Sequence, residues 1–430
     1  MTGELIALLN GREVGRVLRL KGGRLSFNYD DVWRNARGAY PLSLSMPMAV
    51  AKHGHAVTEA YLWGLLPDNE AILGRWAQKF HVSARNAFAL IAEVGEDCAG
   101  GVQFVKPERL EACLKADDEI VQWLDEHQVA ERLRLLRSDH SAWRMARDTG
   151  QFSLAGAQPK TALLFEDGQW GVPSGRTPTT HILKPPTGTF DGHAENEHFC
   201  LALARRLGIP SASSSVAHFE GETAIVIERY DRRRTEGGFI RVHQEDTCQA
   251  LAVPPTRKYE NEGGPGAIAI VNLLRTYSGE REEDIASFVD ALVVNWLIAG
   301  TDAHAKNYSL LIGAGGRVRL APLYDVASIL PYDEFDYQRL KLAMRIGKQY
   351  RLRDIGGREW RRLAGDLHLD PEKLLRRVVE LADRVPDEAA GVRERMLSEG
   401  LEHRIIARLS KRVSDHAMRC GKLLKVEIGM

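Results

Sequence analysis

The chain has 430 residues, of which 44% are apolar, and its 58 basic residues balance 58 acidic residues to a net charge of zero. This length predicts two or three domains, and the balanced charge argues against a dedicated nucleic-acid binder, which needs an excess of cations. Five scattered cysteines predict free thiols and no zinc site, and the lack of a signal segment or a long apolar run predicts a soluble cytoplasmic protein without membrane partners.

Residues 1–108 are predicted to form a small N-terminal α/β subdomain. The turn pair Asn10-Gly11 lies between two apolar runs, as in a β-hairpin. The predicted elements are strands at 5–9, 14–20 and 25–29 and a helix at 72–80. No catalytic pattern occurs in this segment, so we expect a recognition or scaffolding role.

Residues 109–150 are predicted to be a helical connector. Ile120, Val121 and Leu124 would form an apolar stripe behind Asp117, a residue type that favours helix N-caps. Trp143 is expected to cover a core rather than to bind a ligand.

Residues 151–232 change to short strands around one helix. The predicted elements are strands at 161–165, 169–172, 181–184, 215–219 and 223–228 and a helix at 199–207. Gly208 and Pro210 follow this helix, as is typical of a helix end.

Residues 233–430 are predicted to be mainly helical. The broad apolar face from Phe288 to Leu297 indicates a buried helix, and segment 256–266, rich in Gly, Pro and charge, is predicted to be a mobile loop. We interpret the basic stretch 403–425 as the solvated face of a terminal helix, with a nucleic-acid contact as the alternative.

The segment NWLIAGTDAHAKNYS, residues 295–309, carries the clearest chemical pattern. It places Asp302 and Asn307 five positions apart after a buried helix, the spacing of a kinase catalytic loop. There an Asp accepts the proton of the substrate hydroxyl and an Asn binds Mg²⁺. Asp325 follows a predicted hairpin and suits the second metal ligand, because Mg²⁺ prefers oxygen donors. The pattern therefore predicts phosphotransfer from ATP with Mg²⁺.

A kinase also needs a cation for the nucleotide phosphates. Lys184 ends an apolar strand ahead of a helix and suits this role, although alone it would be read as a strand end. Either Glu195 or Glu197, in the following helix, is a candidate partner of this lysine.

The candidate phosphate-binding loop is the segment of small residues from Ser153 to Lys160. Small residues let backbone N–H groups approach phosphate oxygens. The segment has one glycine and neither a GxGxxG nor a Walker A pattern.

Several segments together resemble the HipA family of bacterial toxin kinases. They occur in family order over about 152–330 and are FSLAGAQPKTALL, THILKPP, ENEHFCLALARRLGI, IERYDRR, QEDTCQAL, KYENEGGPG, WLIAGTDAHAKNYS and APLYD. PLSLSMP and LLPDN in the N-terminal segment are also similar to the family's first domain.

The resemblance implies an α+β, two-lobed protein-kinase-like fold of the HipA type, closer to lipid kinases than to eukaryotic protein kinases. Its N-lobe would span 151–232 and its helical C-lobe 233–430. Asp302 would be the catalytic residue, Asn307 and Asp325 the Mg²⁺ ligands, and Ser153 the site of autophosphorylation that switches the kinase off. The implied ATP-binding residues are Ala155, Gly156, Ala157, Gln158, Lys160, Lys184, Glu228, Tyr230, His304, Lys306, Asn307, Tyr324 and Asp325.

The resemblance also implies partners. They are a HipB-like helix-turn-helix antitoxin, operator DNA bound mainly through that antitoxin, and a protein substrate such as an aminoacyl-tRNA synthetase, whose phosphorylation would arrest growth and cause persistence.

Three other functions stay open. A metal-dependent hydrolase could use Asp302, His304 and Asp325, but it would need a fuller ligand cluster. A catalytically silent, antitoxin-bound co-repressor would be expected to lack one of the four key residues that this chain retains. A small-molecule or lipid kinase would carry the same catalytic parts.

Overall fold

The computed structural model of the protein describes residues 3–114, 121–139, 142–143, 152–175, 177–186, 188 and 190–429. Contacts divide the chain into two compact units. The first unit comprises Met1–Pro185, Ala217–Arg257 and Ser309–Arg319, and the second comprises Pro186–Val216, Lys258–Tyr308 and Leu320–Met430. The domain boundaries expected at 108, 150 and 232 stay a prediction.

Strands and helices are mixed along the whole chain. The strands are β1 (Gly3–Leu9), β2 (Arg12–Arg19), β3 (Leu25–Tyr29), β4 (Lys52–His53), β5 (Val102–Val105), β6 (Val121–Leu124), β7 (Thr161–Glu166), β8 (Gln169–Pro173), β9 (His181–Lys184), β10 (Ser214–Phe219), β11 (Glu222–Glu228), β12 (Arg232–Thr235), β13 (Gly238–Arg241), β14 (His243–Asp246), β15 (Ser309–Gly313), β16 (Arg317–Leu320), β17 (Lys341–Ile346) and β18 (Gln349–Arg351).

The helices are α1 (Asp31–Arg34), α2 (His55–Gly64), α3 (Glu70–Phe80), α4 (Ala87–Val94), α5 (Leu110–Leu114), α6 (Glu126–Ser138), α7 (His193–Arg206), α8 (Thr247–Ala250), α9 (Ala267–Tyr277), α10 (Arg281–Leu297), α11 (Gly357–Asp366), α12 (Pro371–Ser398) and α13 (Arg404–Ile428). Short 3-10 turns lie between several of them. Of the helices described, none combines the length and the apolar character that a membrane crossing requires.

The first unit begins with an antiparallel sheet in the order β4-β3-β2-β1-β5. β1 and β2 form the predicted hairpin, and Asn10 and Gly11 have φ values of 48° and 75°, as a type I′ turn requires. β3 and α3 also lie where the sequence predicted a strand and a helix. Apolar side chains of this sheet, including Leu5 and Phe27, pack with α2, α3 and α4 in one buried core.

A second sheet, in the order β10-β11-β9-β7-β8-β6, carries the lysine-bearing strand. β9 pairs antiparallel with both β7 and β11, so Lys184 ends a strand with neighbours on both sides. Val129 and Leu133 of α6 pack against apolar residues of this sheet, including Leu183. The predicted strands between 161 and 228 are confirmed.

The prediction of a helix beginning near Asp117 was wrong at its start. Residues 121–124 form the edge strand β6, which pairs with β8, while Asp117 and Ile120 lie outside the described residues. The helix α6 begins at Glu126, where Asp125 and Gln128 form a capping box. This reciprocal cap is a stronger start signal than an isolated aspartate, and pairing with β8 recruits the preceding apolar residues into the sheet.

The second unit is mainly helical. α10 is buried along most of its length, as predicted, and α12 and α13 pack along each other and against α7 and α11. Asn196 of α7 exchanges two hydrogen bonds with the backbone of Ser328, at 2.7 and 3.0 Å. These bonds position the segment that follows Asp325.

Candidate active site

A tight turn after α10 delivers Asp302 to the surface. Ala299 adopts φ of 52°, and the N–H of Gly300 donates to the carbonyl of Asn295 at 2.7 Å. A side chain at Gly300 would collide with the Asn295 amide. The turn therefore requires glycine at this position, and it leaves the Asp302 side chain exposed.

Asp302 and Asn307 are joined directly. The carbonyl oxygen of Asp302 accepts from the His304 N–H at 2.8 Å and from Nδ2 of Asn307 at 2.9 Å. The 3-10 turn Ala305–Asn307 brings the asparagine back to this position. Because Nδ2 is engaged in this bond, the amide oxygen is the Asn307 side-chain atom that could bind a metal ion.

Tyr259 orients the Asp302 carboxylate. Its hydroxyl donates to Oδ1 of Asp302 at 2.7 Å, and its ring meets His304 edge to face at 5.0 Å. The backbone carbonyl of Lys258 accepts from the Ala305 N–H at 3.3 Å. The segment that was predicted to be a mobile loop thus supplies a side chain and a carbonyl to this site.

Sequence reasoning missed Tyr259 as a site residue. The motif KYENEGGPG contained it, but nothing in its local pattern indicated a contact with Asp302, 43 positions further along the chain. In the structure this motif is closely packed, since a side chain at Gly266 would collide with Glu260, but the sequence carries no sign of that contact.

Tyr324 and Asp325 are tied to the same loop. The Tyr324 hydroxyl donates to the carbonyl of Lys306 at 2.6 Å. Asp325 is half-buried and has φ of 58°, in the left-handed region that non-glycine residues seldom occupy. Such backbone strain concentrates at functional sites. The second unit therefore gathers six predicted site residues, namely Asp302, His304, Lys306, Asn307, Tyr324 and Asp325.

The donor set fits a hard cation. The amide oxygen of Asn307 and the carboxylate of Asp325 are oxygen ligands of the kind that Mg²⁺ prefers, and Mg²⁺ completes its shell with water and phosphate oxygens. Across the part of the chain that the structure describes, no group of three or more His, Cys, Asp or Glu side chains is arranged to hold a metal ion.

The remaining predicted nucleotide residues lie in the first unit. Lys184 is 5% exposed at the end of β9. Glu228 is exposed at the end of β11, and the hydroxyl of the half-buried Tyr230 donates to the side-chain oxygen of Gln244. Glu195 and Glu197 are both buried in α7, which belongs to the second unit, so the choice between them stays open.

Residues 153–160 form a loop that is docked within the first unit. Ser153 is buried, its hydroxyl donates to the carbonyl of Leu65 at 2.7 Å, and its N–H donates to the carbonyl of Asp97 at 2.8 Å. The carbonyl of Gly156 accepts from the Asp68 N–H at 3.1 Å. Ala157 is exposed, and Ala155 and Gln158 are partly exposed.

Lys160 closes this loop upon itself. Its Nζ donates to the carbonyl of Ala155 at 2.7 Å and lies 5.2 Å from the centre of the Trp143 ring. Gly156 has φ of 104°, and a side chain there would press on Nζ of Lys160. Lys160 thus holds the shape of the loop in this structure. Trp143 is buried, as expected for a residue that covers a core.

Comparisons with known proteins give one family for both parts of the chain. Residues 152–389 match the family model described as HipA-like C-terminal domain, and residues 5–105 match the HipA N-terminal domain. The Sinorhizobium fredii protein Y4mE, whose name classes it provisionally as a kinase, is 35% identical over 389 residues, or 90% of each chain. The serine/threonine-protein kinase toxin HipA of Shewanella oneidensis is 29% identical over 401 residues, or 86% of each chain.

A solved structure has the same fold. HipA of Shewanella oneidensis MR-1, determined with HipB and its operator DNA, matches with a TM-score of 0.84 at 23% identity, covering 99% of both chains. The α+β, two-lobed kinase-like fold predicted from the sequence is confirmed.

Proposed function

The chain belongs to the HipA family, and from that premise we propose that it is an ATP- and Mg²⁺-dependent serine/threonine protein kinase that acts as the toxin of a toxin–antitoxin pair. The observation that carries this proposal is the hydrogen bond from the Asn307 amide to the Asp302 carbonyl. It fixes a carboxylate and an amide oxygen on one short turn, as phosphotransfer requires.

Asp302 is the proposed base. The bond from Tyr259 fixes the rotation of its carboxylate. The carboxylate would accept the proton of the substrate hydroxyl as that oxygen attacks the γ-phosphorus, while the bond from this phosphorus to the β,γ-bridging oxygen breaks and ADP leaves. The acceptor must reach this carboxylate from solvent, and Asp302 is exposed.

Asn307 and Asp325 are the proposed Mg²⁺ ligands. Bound Mg²⁺ neutralises charge on the phosphates during transfer. The hydrogen bond from Tyr324 to the Lys306 carbonyl sets the position of Asp325 relative to the turn that carries Asn307.

The other site residues are proposed to bind ATP. Lys184 and the loop residues Ala155, Gly156, Ala157, Gln158 and Lys160 would bind its phosphates, and Glu228 and Tyr230 its adenine end. His304, Lys306 and Tyr324 would line the phosphate side. Lys184 lies nearly buried at the end of a strand that is paired on both sides, and this fixed position supports the role.

Ser153 is the proposed autophosphorylation site. Its hydroxyl is buried and hydrogen-bonded in this structure, so the loop must leave its docked position before the hydroxyl can accept a phosphate. A phosphate group brings up to two negative charges, which the buried position cannot accommodate, so phosphorylation would keep the loop displaced and the kinase inactive.

The proposed partners follow the family. The Shewanella structure contains HipA, HipB and operator DNA, and we propose an antitoxin of the same helix-turn-helix type here, with DNA contacted mainly through it. The zero net charge of the chain supports the proposal that the antitoxin, rather than this chain, makes most of the DNA contacts. The proposed substrate is a component of translation such as an aminoacyl-tRNA synthetase.

A growth assay tests the toxin role. Inducing the wild-type chain without its antitoxin should arrest growth, and inducing Asp302→Asn at equal protein level should not. Equal arrest by both would contradict a kinase-based toxin, and co-expression of the proposed antitoxin should restore growth in the wild-type culture.

A further inference from the structure

An aromatic groove lies within the second unit, next to the turn 299–302 that carries Asp302 (the catalytic turn). It has a volume of about 360 Å³, within the range of ligand-binding sites. One wall is the segment 329–340, which begins four residues after Asp325, and the other is α13.

Hydrogen bonds join the segment that lines the groove to the backbone of the catalytic turn. The Ile329 N–H donates to the carbonyl of Ala299 at 3.3 Å, and the Ser328 hydroxyl donates to the carbonyl of Ile298 at 2.6 Å. Ala299 lies three residues before Asp302. An occupant of the groove would therefore be positioned by the same backbone that positions the proposed base.

The floor and wall of the groove are aromatic. Tyr332, Phe335 and Tyr337 line it together with aliphatic residues. Phe335 is 43% exposed although its ring stacks on Phe190 at 5.9 Å. Aromatic rings that stay accessible in a concave site are typical of surfaces that receive a side chain from a partner.

The charged side chains at the groove favour an occupant with a single carboxylate over a polyanion. Arg412 is already bound to the carbonyl of Leu330 and to Asp333, whereas Arg419 lies 5.7 Å from the Tyr337 ring centre and, among the described residues, has no carboxylate within 4 Å. Asp415 also lines the groove. A polyanion such as RNA would meet the carboxylates of Asp333 and Asp415, whereas a single carboxylate could pair with Arg419 alone.

We propose that this groove binds a peptide segment of the phosphate-accepting protein. One large apolar side chain of that segment lies among the three rings, and a carboxylate near it pairs with Arg419. This inference rests on the proposed kinase function and adds to it a basis for the choice of acceptor.

Peptide binding without ATP tests the groove separately from catalysis. The probe is a short fluorescein-labelled Gly-Ser peptide with one Phe and one following Glu, read by fluorescence anisotropy. Arg419→Glu should weaken its binding about tenfold or more, equivalent to about 1.4 kcal/mol, and should bind a version with Lys in place of Glu better than the wild type does. Lys422→Glu, a matched reversal on the same helix outside the groove, should stay within about twofold.

A second pair of variants controls for effects on folding. Phe335→Ala should weaken binding of the same probe, whereas Leu423→Ala, an exposed apolar residue of α13 outside the groove, should not. Equal affinity of all the variants and the wild type, or no measurable binding, would overturn the groove proposal. Transfer of label from [γ-³²P]ATP to the protein in the same preparations reports the proposed kinase function independently, because its absence in the wild type would contradict that function whatever the peptide does.

Discussion

Tyr259 is the side chain through which the second unit holds the Asp302 carboxylate in one orientation. Its hydroxyl makes the 2.7 Å bond to Oδ1, while its ring packs on His304. The two contacts can be separated experimentally, since phenylalanine keeps the ring and removes the hydroxyl.

Tyr259→Phe is expected to lower kcat for phosphotransfer about tenfold, because a hydrogen bond to a charged group contributes about 1.5–3 kcal/mol. The KM for ATP should change little, since Tyr259 is not placed among the nucleotide residues. Steady-state kinetics with labelled ATP measure both constants. Tyr277→Phe, at a tyrosine that is 40% exposed, is the matched control. An unchanged kcat in Tyr259→Phe would show that the hydroxyl does not orient the base.

Sequence reasoning singled out Asp302, Asn307 and Asp325 as candidates because their spacing is itself the signal, and their roles stay a prediction. It missed Tyr259 because that role exists only through a contact between distant segments. It did not anticipate that the Lys160 ammonium donates a hydrogen bond to the carbonyl of Ala155 in the same loop, since a lysine in a phosphate-binding segment first suggests a contact with phosphate. The hairpin turn at Asn10-Gly11, by contrast, depends on these two residue types alone and was predicted correctly from the sequence.

At the scale of elements, the loop 153–160 is held by its own lysine and by the N-terminal subdomain. Lys160 and Trp143 fix one end, and the bonds to Leu65 and Asp97 fix the other. The loop is therefore shaped before any ligand arrives.

Lys160→Met is expected to raise the KM for ATP about tenfold or more and to leave kcat within about twofold, because it loosens a loop without touching the base. The Lys160 ammonium is nearly buried, where a hydrogen bond from a charged group contributes about 1.5–3 kcal/mol and a desolvated cation–π contact about 2 kcal/mol. ATP titrations of phosphotransfer measure the change. Lys21→Met, on an exposed turn, is the control. A loss of kcat instead would mean that Lys160 acts on the transferred phosphate itself.

β6 shows why one element was predicted wrongly. Val121 and Leu124 are compatible with either a helix stripe or a strand, and only pairing with β8 decides between them. The capping box at Asp125 and Gln128 was readable in the sequence and would have moved the predicted helix start to Glu126.

At the scale of the whole molecule, buried charges join distant parts of the first unit. Asp97 bonds to Arg232 at 2.8 Å and to the Thr179 hydroxyl at 2.7 Å, and Arg229 bonds to Asp231 and Thr179. Burial alone would raise the pKa of Asp97, but the guanidinium groups of Arg232, Arg229 and Arg241 outweigh it and hold the pKa below its usual range.

Asp97→Asn is expected to lower the free energy of unfolding by about 3–5 kcal/mol, because it leaves the buried guanidinium groups of Arg229, Arg232 and Arg241 with Asp231 as their one carboxylate in place of two. Since the folded-state pKa of Asp97 is depressed, its contribution is present above the unfolded value near 3.8 and is lost as the pH falls. Urea unfolding at neutral pH measures the loss. Asp167→Asn, at an exposed turn, should cost less than about 0.5 kcal/mol; equal effects of the two would contradict a structural role for the cluster.

Glu245 links the motif PLSLSMP to β14. Its carboxyl accepts from the Ser43 hydroxyl at 2.5 Å and from the Leu44 N–H at 2.7 Å. Burial raises the pKa of Glu245 to about 8 against these bonds, which lower it. Glu245 belongs to the motif QEDTCQAL, so these bonds bring two motifs into contact that are about 200 residues apart in the sequence.

Glu245 should make the protein less stable as the pH rises. A raised folded-state pKa means that the stabilisation is complete below about pH 4.5 and is lost progressively up to about pH 8. Glu245→Gln should remove this component, so its free energy of unfolding should fall less than that of the wild type between pH 5 and 8. Urea titrations across this range measure the slope, with the exposed Glu236→Gln as control. Parallel slopes in Glu245→Gln and the wild type would show that Glu245 is ionised in the folded protein.

Phosphate transfer through Asp302 is tested by label transfer from [γ-³²P]ATP with Mg²⁺, with the modified residue located by mass spectrometry. We expect label on Ser153 in the wild type and none in Asp302→Asn, while both proteins bind ATP. Label of equal extent in both would contradict the assignment of Asp302. No label in a folded wild-type protein that binds ATP would contradict the proposed protein kinase itself.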